Sequence, residues 1–258
     1  MDSAGVAAVS GALSSFLSGL LGIGGGLIMT PLLLYLPGLV GSTAIPVKIV
    51  TGLTVVQAIS GSTIGVWRHR SYGNVSWRLV RIMGPVSAVA SLTGALVSRD
   101  VSDRILVGLF ALFALGGGIL LVLPGRAQDA GVDDLHINVP LAVGIAGSIG
   151  FFGGMVGIGA IANILALLIY ALRIPPRIAI GTSLGIGAFG AVAALVGKAA
   201  TAQIDPPLAA VVFVAALVAS PIGAAVSVRT RPRRLMGVLA VVMFLMSIRL
   251  ALTAVAGV

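Results

Sequence analysis

The chain alternates long apolar runs with short polar breaks. The apolar stretches cover residues 5–38, 48–66, 79–98, 105–123, 137–172, 178–196, 208–228 and 235–257, and charged positions fall almost entirely between them. A helix needs about 20 apolar residues to cross a bilayer, and six of the stretches have that single-span length. The first and fifth have about 35 residues, roughly 52 Å of helix at 1.5 Å per residue, too long for one comfortable crossing. Both are interrupted by glycines, so each predicts two short helices meeting at a break. The first stretch is not a signal peptide: no Lys or Arg precedes it and its apolar run continues too far.

Composition turns this pattern into a class. Of 258 residues, 58% are hydrophobic and 9% are charged, against about 25% charged in soluble domains. Too little polar surface is left to cover a water-exposed globule. The class is an all-α polytopic membrane protein of about eight to ten transmembrane or half-membrane helices. Absence of cysteine excludes thiolate metal sites, thiol nucleophiles and disulfides. All seven acids are aspartates (Asp2, Asp100, Asp103, Asp129, Asp133, Asp134 and Asp205), each at a terminus or a segment boundary. The net charge of +9 comes from basic residues between apolar segments, where the positive-inside rule puts them. It points to the lipid bilayer as partner and not to nucleic acid.

The two long stretches match each other. Leu21-Gly22-Ile23-Gly24-Gly25-Gly26 aligns with Val156-Gly157-Ile158-Gly159-Ala160-Ile161 at an offset of 135, and Tyr35 then falls on Tyr170. Thr51-Gly52-Leu53 falls on Thr182-Ser183-Leu184, Asn74-Val75 on Gln203-Ile204, Ser91 and Gly94 on Ser220 and Gly223, and Arg104 on Arg233. The chain reads as two membrane repeats, 1–124 and 137–258, joined by a linker loop, 125–136. If every stretch crosses once, the better orientation leaves nine basic residues inside and six outside. If the two long stretches are hairpins, the count is eleven inside and four outside (Lys48, Arg99, Arg104 and Lys198), with Arg249, inside the last span, left out of both counts. The hairpin arrangement fits the Lys/Arg bias better and makes the repeats inverted, a common transporter architecture.

Unpaired backbone at a break is tolerated in a membrane only where it faces protein or a cavity. Two helix N-termini meeting near the midplane would form an anion site from backbone N–H groups and positive dipole ends. The candidate binding residues are Gly22, Gly24, Gly25 and Gly26 at the first break and Gly157, Gly159 and Asn163 at the second. Thr51, Gln57, Thr182 and Ser183, in the spans after each break, complete the set. Hydroxyl and amide donors bind an oxyanion without the desolvation cost of a buried cation. The competing explanation is close packing, since Gly22-x-x-x-Gly26 and Gly153-x-x-x-Gly157 also fit the small-xxx-small pattern. Lys198 aligns with His69, and both are expected at membrane interfaces. Arg249 is expected to snorkel from the last span, and the cluster from Arg229 to Arg234 to lie against anionic lipid.

Gly181-Thr182-Ser183-Leu184-Gly185 matches the nucleophile-elbow pattern. No carboxylate lies in the spans to complete a triad, and both histidines lie at loops or membrane edges, so an enzyme is not expected. The first break lacks the final glycine of a dinucleotide fingerprint, because Leu27 stands there. No cofactor or metal is called for.

The chain resembles the sulfite exporter TauE/SafE family of membrane permeases. The resemblance rests on Leu20-Leu21-Gly22-Ile23-Gly24-Gly25-Gly26-Leu27-Ile28-Met29-Thr30-Pro31 and Val50-Thr51-Gly52-Leu53-Thr54. In the second half it rests on Gly154-Met155-Val156-Gly157-Ile158-Gly159, on Ala179-Ile180-Gly181-Thr182-Ser183-Leu184 and on Gly223. It covers almost the whole chain. In the second half Ala160 and Ile161 replace two glycines and Ala166 replaces Pro31, so the half-sites are not equivalent. The resemblance implies a transporter exporting a small sulfur-containing anion (sulfite, sulfoacetate or a related organosulfonate) through the cytoplasmic membrane of a bacterium. An anion channel of the same fold, an intramembrane serine hydrolase at Ser183 and a metal permease are the other classes. A homodimer is compatible with the sequence, which leaves the oligomeric state open.

Overall fold

The computed structural model describes residues 2–21, 25–122, 131–132, 134–157, 161–227 and 232–256. It is all-helical, with no strand among the described residues. The helices are α1 (Ser3–Leu21), α2 (Gly26–Leu39), α3 (Val47–Ser71), α4 (Trp77–Val97), α5 (Asp103–Val122), α6 (Val139–Val156), α7 (Ile161–Tyr170), α8 (Pro176–Ala200), α9 (Pro206–Ser227) and α10 (Pro232–Ala256). Both long apolar stretches therefore divide at their glycines. Among the described residues, six helices are long and apolar enough to cross a bilayer, judged by length and composition. Together with the shorter apolar helices, they make this a polytopic membrane protein.

Polar residues at the boundaries start the helices. The Asp2, Asn138 and Asp205 side-chain oxygens accept the Gly5, Leu141 and Leu208 N–H groups at 2.9, 3.1 and 3.0 Å. Such caps satisfy donors that a helix cannot satisfy internally. Pro46 and Pro175 precede α3 and α8 with nearly the same backbone angles, φ −56°, ψ 139° and φ −54°, ψ 137°.

The helices α3 and α8 form the centre, with 72% of each span buried against 28–44% of the other four candidate spans. They pack on each other; α1 packs along α9, α4 along α6 and α8, and α5 along α10. Glycine and serine let the outer pairs approach to backbone contact, as small residues do in membranes. Gly94 of α4 lies on the Phe151 carbonyl of α6, and Gly223 of α9 on the Phe16 carbonyl of α1. Ser91 Oγ donates to the Gly150 carbonyl at 3.0 Å. Large side chains such as Val89, Leu112, Val192, Val218 and Leu245 stay exposed on the outer faces, where a bilayer would cover them.

These contacts fix the courses of the helices. The start of α3 meets the ends of α4, α6 and α8: Lys48 Nζ donates to the Arg99 carbonyl, and Lys198 Nζ reaches Thr51 Oγ1 and the Met155 carbonyl. At the opposite end, the start of α8 meets the end of α3 and the start of α4, with Gly181 on the Asn74 carbonyl and Thr182 bonded to Ser76. Along α8, Met155 lies level with Lys198 and Ile161 level with Gly187, so the chain turns back after α6. Likewise Ser18 lies level with Gly61 of α3, but Gly25 only with Gln57. Each long stretch thus returns toward the end from which it came.

The structure corrects one alignment. Gly52 lies on the Gln203 carbonyl and Gly181 on the Asn74 carbonyl, so α3 and α8 match at an offset of 129 and not 131. Thr182 and Ser183 then correspond to Leu53 and Thr54. The shared letters of Thr-Gly-Leu and Thr-Ser-Leu had outweighed the prolines and glycines that set the backbone.

Candidate functional site

At the first break, Gly25 stands immediately before α2 with φ 68°, in the left-handed region, and no side chain caps the helix. Its carbonyl accepts the Ile28 and Met29 N–H groups, each at 3.0 Å. The carboxamide of Gln57 lies directly on it, so a Cβ at Gly25 would overlap that group. The left-handed φ requires glycine, and any Cβ would displace the Gln57 carboxamide. Gly26 is buried as the first residue of α2, and its carbonyl accepts Thr30 Oγ1 at 3.0 Å. Gly22 and Gly24 lie outside the described residues.

Gln57 is fully buried. Its Nε2 donates to Ser15 Oγ of α1 at 3.2 Å, while its Oε1 has no partner among the described residues. Ser18 Oγ, one turn further along α1, is also buried without a partner, as are Ser10 Oγ of α1 and Ser220 Oγ of α9. Ser18 borders Gly61, where a Cβ would lie 2.7 Å from its Oγ. A buried polar atom without a partner costs about 1–3 kcal/mol. Two of these atoms, Gln57 Oε1 and Ser18 Oγ, lie together at Gly25 and Gly61, and inside an apolar bundle they mark a place that a small polar ligand would complete.

At the second break, Gly157 closes α6 with φ 79° and donates its N–H to the Gly153 carbonyl at 2.9 Å. It lies on the Thr51 carbonyl of α3, and a Cβ there would also come within 2.6 Å of Thr54 Oγ1. Gly159 lies outside the described residues. Both breaks thus rest on α3, Gly157 at Thr51 and Thr54 and Gly25 at Gln57. Three to six residues of helix separate these contacts, about 5–9 Å along the axis.

The other expected residues are placed differently. Asn163, in the first turn of α7, is 4% exposed and its Oδ1 lies against Gly117 of α5. Its Nδ2 has no partner among the described residues. Thr182 Oγ1 accepts the Ser76 N–H at 3.0 Å and ties α8 to the α3–α4 turn. Ser183 Oγ donates to the Ile180 carbonyl at 3.0 Å within α8. It lies inside a helix and not on the sharp strand-to-helix turn of a hydrolase.

Lys198 is the largest departure from expectation. Near the end of α8, where an interface is expected, it is not solvated but fully buried by protein. Its Nζ donates to Ser98 Oγ at 2.7 Å and to Thr51 Oγ1, the Met155 carbonyl and Gln203 Oε1, each at 2.9 Å. No carboxylate is among these partners. Gln203 and Ser98 belong to the α8–α9 turn and the end of α4, which fold over the lysine from outside its own span. The matched residue, His69, is half-buried in the last turn of α3, and its Nδ1 has no partner among the described residues. Arg249 is exposed, as a snorkelling residue would be, with its guanidinium 5.1 Å from the centre of the Tyr35 ring.

The family model described as sulfite exporter TauE/SafE matches residues 7–250. This chain belongs to the TauE/SafE family. A probable membrane transporter protein of Xylella fastidiosa (strain 9a5c) is 32% identical over 190 residues, covering 72% of this chain and 70% of the relative. One of Methanocaldococcus jannaschii is 27% identical over 69% of this chain and 66% of the relative. One of Bacillus subtilis (strain 168) is 22% identical over 94% and 95%. No solved structure matches the chain. As a TauE/SafE protein, the chain is a multi-pass membrane transporter and not an enzyme.

Sequence reasoning in this TauE/SafE chain found Gly25 and Gln57, which meet, and Thr51 and Gly157, which meet. It missed Ser15, Ser18, Lys198, Ser98 and Gln203. A serine every three or four residues from Ser10 to Ser18 was the available signal for the α1 face. The lysine gave none, because its burial depends on distant residues.

Proposed function

We propose that this transporter exports a small sulfur-containing anion, such as sulfite, sulfoacetate or a related organosulfonate, across the cytoplasmic membrane of a bacterium. The halves 1–124 and 137–258 act as inverted repeats joined by residues 125–136. The anion binds near the midplane, where the two broken helices rest on α3. The observation that carries this reading is the buried cluster of Gln57, Ser15 and Ser18 beside the first break, in which the Ser18 hydroxyl has no partner among the described residues and Gln57 Nε2 has a second hydrogen beyond its bond to Ser15. An anion there takes the amide and hydroxyl hydrogens, and desolvation strengthens each bond.

Helix direction supports the inversion: α3 and its counterpart α8 run antiparallel, Lys198 near the end of α8 lying at Thr51 near the start of α3, and Gly181 near the start of α8 at His69 near the end of α3. The end carrying Arg68, Arg70, Arg78, Arg81, Arg173 and Arg177 faces the cytoplasm, as the positive-inside rule requires. Exposed Trp67 and Trp77 lie at that end, with the Arg70 guanidinium 5.8 Å from the Trp77 ring centre, as in an interfacial aromatic belt. The aspartates Asp100, Asp103 and Asp205 lie at helix boundaries, leaving proton coupling through them without a midplane carrier. The inside-negative potential drives an anion outward with about 2.3 kcal/mol per charge per 100 mV.

The test is flux of radiolabelled sulfite and sulfoacetate from proteoliposomes under an imposed potential. Saturable efflux that follows the potential is the expected result. Non-saturating flux at far higher turnover would make the protein an anion channel. Lack of flux for both anions, with the potential verified, would remove the cargo assignment.

A further inference from the structure

We propose that the Lys198 ammonium contacts the transported anion at the second break, on the side of the bundle away from the arginine-rich end. The proposal rests on the anion-export reading above and adds a charged residue to its path.

Lys198 is the only lysine or arginine with a fully buried side chain among the residues whose side chains the structure describes. All four of its partners are neutral oxygens. An ammonium withdrawn from water without a counter-charge is costly, and intramembrane ionisable residues are retained for pathways of ions and substrates. A passing oxyanion is the counter-charge that this arrangement lacks.

The cage also suits exchange. Lysine has three N–H donors, but four oxygens surround Nζ, so one can leave without baring a proton. Gln203 and Ser98 are the partners able to leave. Gln203 Nε2 donates to Thr201 Oγ1 at 2.7 Å and to Ser98 Oγ at 3.2 Å, so both retain a bond when the lysine turns away. The other two partners connect Lys198 to the break. Thr51 is the residue whose carbonyl Gly157 lies on, and Met155 precedes Gly157 by two positions. An anion leaving the α3 breaks toward this end therefore meets a positive charge whose nearest neutral ligands it can replace.

The experiment measures binding of sulfite and of sulfoacetate to purified protein by calorimetry, for wild type, Lys198→Met and Gln203→Leu, alongside wild-type flux in proteoliposomes. Lys198→Met should weaken binding by at least about tenfold, the loss of one charge-assisted contact. Gln203→Leu removes a competing acceptor and should tighten binding a few-fold; a merely structural lysine predicts no gain. Folded Lys198→Met that binds both anions with wild-type Kd overturns the proposal. Should Lys198→Met fail to fold, Gln203→Leu decides: tighter binding supports the proposal, and unchanged or weaker binding overturns it. Wild type that binds neither anion also overturns it. Wild-type flux of an anion that Lys198→Met still binds with wild-type Kd removes this proposal alone. Lysine-dependent binding without flux keeps the lysine and removes the export reading.

Discussion

At the first break Gln57 covers the glycine turn, with one bond to Ser15 and a carboxamide oxygen that has no partner among the described residues. At the matched depth of α8 stands Ile186, fully buried and apolar. At the ends of the same two helices the order is reversed: α8 carries the caged Lys198, and α3 carries His69, half-buried with an unpartnered nitrogen. Yet the backbone around these positions is nearly the same. Both helices have 25 residues, start after a proline and bring a glycine onto a loop carbonyl of the other half. Glycine and proline hold the matched scaffold; the polar chemistry is placed once. One side of such a framework can bind while the other packs, so the two halves need not act alike in transport.

The shared scaffold is where substitutions should cost most. Gly157→Ala meets both a left-handed φ of 79° and the Thr51 carbonyl, and should destabilise the protein by about 3 kcal/mol. Gly144→Ala, on the same helix and with open space around it, should be neutral or slightly stabilising. Unfolding in mixed detergent measures both, and equal effects would break the distinction between turn glycines and surface glycines. Thr182→Val removes one cross-half hydrogen bond to Ser76. It should cost about 1 kcal/mol while leaving the KM of transport unchanged; a large rise in KM would return Thr182 to the binding site. Ser183→Ala loses only a bond within its own helix and should change stability by less than about 0.5 kcal/mol. Full transport by that variant, and absence of fluorophosphonate labelling of wild type, would match the helical placement of Ser183.

Much of this architecture was legible in sequence because membrane helices announce themselves by length. The hydrophobic runs located all ten described helices, and the glycines located both divisions of the long stretches. Gln57 was legible as an amide deep in an apolar run. Residue identity pairs Thr182 and Ser183 with Thr51 and Gly52, whereas Pro46, Pro175, Gly52 and Gly181 set the register. Asn163 was legible as buried, but the helix it turns toward, α5, was not. The cage of Lys198 draws on Thr51, Ser98, Met155 and Gln203. Position along its own span could not show a burial made by four separate segments.

The central claim is that the anion binds where Gln57 covers the first break, and that Ile186 only packs. The direct measurement is the KM for sulfite and sulfoacetate in proteoliposomes for Gln57→Ala beside Ile186→Val. The account predicts a rise of about tenfold or more for Gln57→Ala, the loss of a hydrogen bond to a charged group. It predicts an unchanged KM for Ile186→Val, whose cost is about 1 kcal/mol of stability. A folded Gln57→Ala protein that transports either anion with wild-type KM would contradict it.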